Sequence, residues 1–554
     1  MSQDPGQWVM PSQNYAATRH SNLDQITADN VANLKVAWSM STGASRGHEG
    51  QPLVVGNTMY FQSSYPNHVY AVDLADYHIK WEYTPNQDSF AVSVACCDLV
   101  NRGVAYGEGK IIVDALDGTV LALNAATGKP EWTAHNADPE RGQTLTSAPL
   151  IVKNRVIVGV SGGEYGVRGY LSAFDLATGK RVWRAYSEGP DSDVLIGAGF
   201  HGPRNQGVST WHNEQWKVGG GTTWGWYTYD PKLDLLYYGT GNPGTWNPSQ
   251  RPGQNKWSMT IFARRPETGQ AVWARQLTPH DEWDYDAVNE SILVDVQHGG
   301  QTIPALVHFD RNGFAYEIDR RNGNLLLASK FDPDVNWATG IDMKTGFPIV
   351  NPTKETRAGA NVKNICPAAM GSKDQQPASY DPQTGYFIVP TNHNCMDYQA
   401  FAVKYKGGFP YVGAIVKMYP GPGGNRGSVM AWDPSSGKIV WSDPERFTVW
   451  SGTLNTAGGV TFYGTMDGWF KAIDTKTGKL LWKTRVPSGI VGNPITYTHD
   501  GKQYVAVLCG VGGWAGLGLA SGLTNPTAGL GAVNAAMDLG NYTTLGGDLM
   551  VFSL

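Results

Sequence analysis

Charge is scarce in this chain. Of its 554 residues only 16% are Asp, Glu, Lys or Arg, and 43 basic residues face 48 acidic ones, a formal net charge of −5. No basic excess is available to neutralise phosphates, which argues against an electrostatic nucleic-acid binder. With 41% hydrophobic residues the chain is not disordered either. Long apolar runs are missing: none reaches the ~20 residues of a membrane span. Cysteine is rare, at five residues. No Cys-x-x-Cys-His occurs, which argues against a covalent c-type haem, and no Cys/His spacing suits zinc. The opening Met1-Ser-Gln-Asp-Pro5 has no apolar secretory segment, so a cytosolic chain or an exported one with a mature or engineered start is expected.

Glycine and tryptophan are what the chain has in excess. Gly is 68 of 554, about 12% against a usual ~7%, and Trp numbers 20. Abundant Gly, Trp and Tyr with few charges read as a large, turn-rich, all-β protein. For the cysteines two readings stand. They are five buried thiols, or they lie in an oxidising compartment with a Cys366–Cys395 bridge and a vicinal Cys96–Cys97 bridge.

One phrase recurs along the chain. Ala122…Gly128…Trp132 places a small residue, a turn Gly and a Trp ten positions after the Ala; Ala173…Trp183, Ala263…Trp273, Ala431…Trp441 and Ala472…Trp482 repeat it. Ala71…Trp81 keeps the spacing without the Gly, and Glu317…Gly323…Leu327 puts Leu in the Trp position. Each copy reads as strand, tight turn, strand, with Gly supplying a positive φ. Trp positions 81, 132 and 183 are spaced like four-stranded propeller blades. Trp38 adds an eighth position without a turn, and the final strand 549–554 is expected to complete that blade and close the ring. The expectation is an all-β, eight-bladed β-propeller filling residues 1–554 as one domain. Its long gaps, 183–273 and 327–441, supply a cap over one end.

Four oxygen-bearing residues stand out in polar, Gly-rich loops: Glu164, Asn242, Asp284 and Asp286. Such ligands suit a hard cation rather than zinc. Read as a strand, Asp284-Tyr-Asp286 puts two carboxylates on one face, where they repel unless neutralised. Gly510-Val-Gly-Gly-Trp-Ala515 fits a loose dinucleotide spacing, but nothing nearby reads as a strand–helix unit.

Gly47-His-Glu49-Gly, Ala95-Cys-Cys-Asp-Leu-Val-Asn-Arg102-Gly, Gly219-Gly-Gly-Thr-Thr-Trp224-Gly-Trp, Gly239-Thr-Gly-Asn242-Pro and Trp283-Asp284-Tyr together resemble the quinoprotein alcohol dehydrogenases, most of all the methanol dehydrogenase large subunits. That resemblance runs from Trp8 to Leu554. It implies pyrroloquinoline quinone (PQQ) in an eight-bladed propeller, with a Cys96–Cys97 disulfide on one face of the cofactor and Trp224 on the other. Glu49, Arg102, Thr146, Ser161, Gly162, Gly163, Thr222, Asp374 and Trp450 are its expected contacts. Arg311 is expected beside the reactive quinone oxygens. Glu164, Asn242 and Asp284 match metal positions, and Asp284 also matches the base that takes the alcohol's proton as hydride passes to C5 of PQQ.

Two positions depart from the calcium enzymes of the family. Asp374 stands where they have Asn. Asp286 stands where they have Ala, the pattern of the lanthanide-dependent branch, and its carboxylate suits a trivalent ion. Trp246 and Trp514 resemble pocket walls that restrict substrates to short alcohols, methanol first. The implied electron acceptor is a soluble cytochrome c, the implied compartment the periplasm, and the expected assembly a homodimer. The rival readings are a calcium-dependent PQQ enzyme for longer alcohols and a non-catalytic propeller scaffold. The scaffold would need neither Cys-Cys nor Asp284 with Asp286.

Overall fold

In the computed structural model, which describes residues 4–554, each repeated phrase is a hairpin joining the third and fourth strands of a four-stranded antiparallel sheet. The Ala and the Trp are cross-strand partners: Ala71 faces Trp81, Ala122 Trp132, Ala173 Trp183, Ala263 Trp273, Ala431 Trp441 and Ala472 Trp482. Glu317 faces Leu327 in the divergent copy. A register shift follows each pair, the kind of bulge that adds local twist.

The Gly of the phrase has a second use. A Cβ on Gly179 would fall 2.6 Å from Trp132, and one on Gly478 2.6 Å from Trp441. Gly128, Gly179, Gly269, Gly323 and Gly478 each seat the indole of the blade before them, and Gly437 seats Leu327 of the divergent copy. Four indoles, Trp81, Trp132, Trp183 and Trp273, also donate Nε1–H to the carbonyl three residues before that Gly, at 2.9–3.1 Å. Where the Ala71 copy lacks Gly, Tyr77 takes the position at φ 65°, and Trp38 stacks on its ring at 4.8 Å.

Eight such sheets are present, spanning residues 53–83, 105–135, 150–186, 227–276, 291–330, 379–445 and 454–485, with the eighth built from 495–509, 548–553 and 35–41. In the eighth, Lys35–Ser41 pairs antiparallel with Asp548–Ser553, and Val551 faces Trp38 where six of the other blades have Ala. The chain ends replace the hairpin turn, which is why Trp38 has no turn phrase. Trp482 meets this closing blade edge-on at Phe552, 5.6 Å away.

The insertions differ in use. Part of the 183–273 gap, Ile196–His201, pairs parallel with Ala271–Gln276 and covers the outer edge of its own blade. The 327–441 gap forms a two-stranded sheet (Ala338–Ile341 and Pro348–Val350) and a three-stranded sheet (Asn361–Ile365, Asn394–Ala400 and Ala414–Pro420). A third insertion, not expected from the sequence, occupies 510–547. Its helices Gly513–Ser521 and Ala532–Ala535 lie by the three-stranded sheet, with Asn534 Nδ2 donating to Met418 O at 2.7 Å. The Gly510–Ala515 stretch therefore does join a strand to a helix, contrary to the expectation above. That strand, Lys502–Cys509, pairs antiparallel on both sides, so no parallel dinucleotide-binding unit results.

Candidate functional site

Strand direction decides where the polar loops meet. In a four-stranded antiparallel blade, the entry to the first strand and the exit from the second lie at the same end. Cys96–Arg102, Thr146, Trp224, the Asp284–Asp286 turn, Asp374 and Trp450 come from loops entering first strands; Ser161–Glu164, Asn242, Arg311 and Trp514 follow second strands. The Thr-Gly hairpins close the opposite end. One cavity at the loop end is lined by Glu49, Cys96, Cys97, Arg102, Thr146, Ser161, Gly162, Glu164, Trp224, Asp284, Asp286, Arg311, Asp374, Trp450 and Trp514. Gly163, Thr222, Asn242 and Trp246 do not line it and stand directly behind. A Cβ on Gly163 would lie 3.1 Å from Asn242 Oδ1 and 3.6 Å from Thr222 Oγ1, and Trp246 packs 6.5 Å from Trp514.

At one side, Cys96 and Cys97 are disulfide-bonded to each other; outside the cavity lining, Cys366 is bonded to Cys395. Arg102 organises the polar rim. It pairs with Glu49 at 2.8 Å, donates to Thr146 Oγ1 at 3.0 Å and to Trp224 O at 3.2 Å, and lies 4.9 Å over the Trp224 ring. Thr146 and Ser161 hydroxyls are 3.0 Å apart, and Trp450 Nε1 donates to Glu49 Oε1 at 2.8 Å.

The other side is acidic. Arg311 holds Asp284 Oδ2 at 3.0 Å and Asp374 Oδ2 at 2.9 Å, with Asp286 at 3.9 Å. Asp286 accepts from Trp224 Nε1 at 2.8 Å and from the Asn242 main-chain N–H at 2.5 Å. Asp284 and Asp286 do not lie on a strand, as the spacing suggested. They sit in a turn in which Asp284 adopts φ 70°, a conformation that tends to mark functional positions. Three carboxylates thus surround one guanidinium. Burial pushes Asp284 well above its ordinary range, with Asp286 adding to it. Burial, then Asp286, raises Glu164 to about 7, and burial raises Asp286. Asp284 Oδ1 and Asp374 Oδ1 have no hydrogen-bond partner. Among the described residues only Asp332, Asp334 and His393 bring three ligand atoms within 4.8 Å; Glu164, Asp284 and Asp286 share the cavity lining at wider spacing. This donor set fits a highly charged, oxygen-seeking ion.

Several lining residues carried little signal in the sequence. Asp98 and Gln375 adjoin recognised residues. Gln375 Oε1 accepts from Arg102 at 3.4 Å, and Asp98 accepts from Gly513 N at 2.8 Å, tying the third insertion down. Leu530 lines the cavity from that insertion, and nothing around it in the sequence marks it.

The β-propeller domain family of PQQ-dependent glucose, ethanol and alcohol dehydrogenases matches residues 8–330 and 444–505, and the chain belongs to it. Within it, the chain is a member of the methanol dehydrogenase large subunits, in their lanthanide-dependent branch. It is 55% identical to a lanthanide-dependent methanol dehydrogenase of Methylorubrum extorquens, over 100% of this chain and 94% of that protein. It is 49% identical to the cytochrome c-linked methanol dehydrogenase subunit 1 of the same organism, over 100% of this chain and 92% of that one. The solved structure of a europium-containing methanol dehydrogenase superposes with a TM-score of 0.98 at 57% identity, covering 100% of this chain and 99% of that one.

Proposed function

We propose that this chain oxidises methanol, and short primary alcohols more generally, to the aldehyde in the periplasm and passes the electrons to a soluble cytochrome c. The observation that carries the lanthanide dependence is Asp286 beside Asp284 and Glu164 in one cavity, with a single guanidinium among them. In this reading Glu164, Asn242, Asp284 and Asp286 hold the ion. The rim of Glu49, Arg102, Thr146, Ser161, Gly162, Asp374 and Trp450 holds the cofactor, with Thr222 supporting it from behind and Gly163 giving the loop room. When bound, PQQ supplies a two-electron acceptor and the trivalent ion a Lewis acid.

The chain's own groups do the rest. Asp284 Oδ2 is held by Arg311 while Oδ1 has no donor, so one oxygen is free to take the alcohol's hydroxyl proton. For that Asp284 must be ionised, and a multivalent cation beside it favours the carboxylate. Arg311, fixed on two sides by Asp284 and Asp374, is placed to stabilise negative charge developing on the acceptor. Trp514 and Leu530, backed by Trp246, wall the cavity with apolar groups, which suits a short alkyl substituent on the alcohol. Two such chains form the working homodimer. The test is Asp286→Ala loaded with PQQ and either La³⁺ or Ca²⁺. Lanthanide-dependent turnover should fall at least ~10-fold, the lower range for disturbed metal shells. Unchanged turnover with La³⁺ would sink the role of Asp286.

A further inference from the structure

The turn carrying Asp284 is built around a carboxylate that takes no part in the chemistry above. Asp281 is buried, and its two oxygens accept three consecutive main-chain N–H groups: Trp283 at 3.3 Å and Tyr285 at 3.2 Å on Oδ1, and Asp284 at 2.9 Å on Oδ2. Successive amides converging on an anion form a nest. Inside it Asp284 takes φ 70°, which residues other than Gly seldom adopt. The same backbone places the Asp284 carbonyl oxygen 3.0 Å from Arg311 Nη1, so main chain and side chain of Asp284 both address that guanidinium.

A second buried group ties this turn to its neighbour. Arg251 donates Nη2–H to Asp281 O at 2.6 Å, Nε–H to Thr245 O at 2.6 Å and Nη1–H to Asn255 Oδ1 at 3.0 Å. Thr245 lies between Asn242 and Trp246. One guanidinium therefore spans the loop bearing Asn242 and the turn bearing Asp284 and Asp286.

We propose that Asp281 is a positioning residue, whose carboxylate holds the 283–285 amides so that Asp284 stays left-handed and aimed at Arg311, with Arg251 keying the turn to the Asn242 loop. The inference rests on the ion and base roles assigned to Asp284 and Asn242 above. Without the carboxylate, three amides lose their acceptor in a buried place and nothing compels the left-handed turn. An amide at 281 keeps one acceptor oxygen but presents an NH₂ to the other N–H groups, so Asn should fall between Asp and Ala.

The experiment uses the full chain loaded with PQQ, comparing wild type, Asp281→Asn and Asp281→Ala. Cation binding is read from Tb³⁺ luminescence, PQQ content from its near-ultraviolet band, and turnover with methanol as kcat and KM separately. In the Ala variant, Tb³⁺ affinity should drop ~10- to 100-fold, as for other residues that orient metal ligands. PQQ should be retained, and kcat should fall more than KM changes. Wild-type Tb³⁺ affinity together with kcat within about twofold would overturn the proposal. Should Ala not fold, the Asn variant decides by the same two readouts. A wild-type protein that binds no Tb³⁺ overturns the parent assignment as well, whereas normal wild-type binding with an indifferent Asp281 overturns only this one.

Discussion

Asp286 has electrostatic consequences out of proportion to its size. It raises the count of buried carboxylates around Arg311 and lifts the proton affinity of both Glu164 and Asp284. Glu164 moves from an ordinary 4.5 to about 7, by burial first and Asp286 next. A carboxyl whose folded value is raised binds more protons in the native than in the unfolded state. Its contribution is fully present below about 4.5 and is lost as pH rises through about 7. The metal-free protein should therefore melt at falling temperature as pH goes from about 5 to about 8, while the La³⁺-loaded protein is spared. Since the ion binds carboxylates, loading at pH ~6 should also release more protons than at pH ~8. Calorimetric titration in two buffers of different ionisation heat measures that release; an equal proton count at both pH values would contradict the assignment.

At the scale of the blade, the repeat phrase is an inter-blade joint more than a turn. Gly179 sits at φ 70° with Trp132 pressed against it, whereas Gly501 has φ 74° and open space around it. Gly501→Ala should cost only the handedness term, roughly 1–2 kcal/mol. Gly179→Ala adds displacement of the indole and should lower Tm further, with a shift in Trp fluorescence; equal losses would mean the indole seat contributes nothing. The phrase was legible because its Ala-to-Trp offset recurs. Which surface the Trp covers was not, because the seat lies in the next repeat about 50 residues on, where Tyr77 can replace Gly by stacking. The Asp284–Asp286 segment departs from the strand its spacing suggests for a related reason. The Asp281 carboxylate, three positions back, overrides the extended preference.

At the scale of the whole molecule, ring closure and the cap set the conditions for the site. The accessible surface is 17656 Å², below the about 19,400 Å² expected of a 60.1 kDa monomer, so the insertions fold onto the propeller rather than extend from it. Asp548–Ser553 lies between Lys502–Cys509 and Lys35–Ser41. Deleting 549–554 removes the partner of both and opens two sheet edges at once. Soluble yield should collapse, and any soluble remainder should elute as aggregate on size exclusion. A monodisperse, PQQ-binding product would show that the ring does not need closing. No helix among the described residues is long and apolar enough to cross a membrane.

Local order in the chain determined a good deal by itself: the Trp-bearing hairpins, the number of blades, and the oxygen-bearing residue types in the Gly-rich loops, because spacing and chemistry are properties of neighbouring residues. The tertiary structure alone decided which loops share an end of the ring, that Leu530 of a third insertion reaches the same cavity, and that Asn242, Thr222 and Trp246 stand behind its wall. Those facts depend on strand direction and on contacts between distant segments. So does the role of Asp281, visible only once three amides, Arg251 and a left-handed Asp284 stand together.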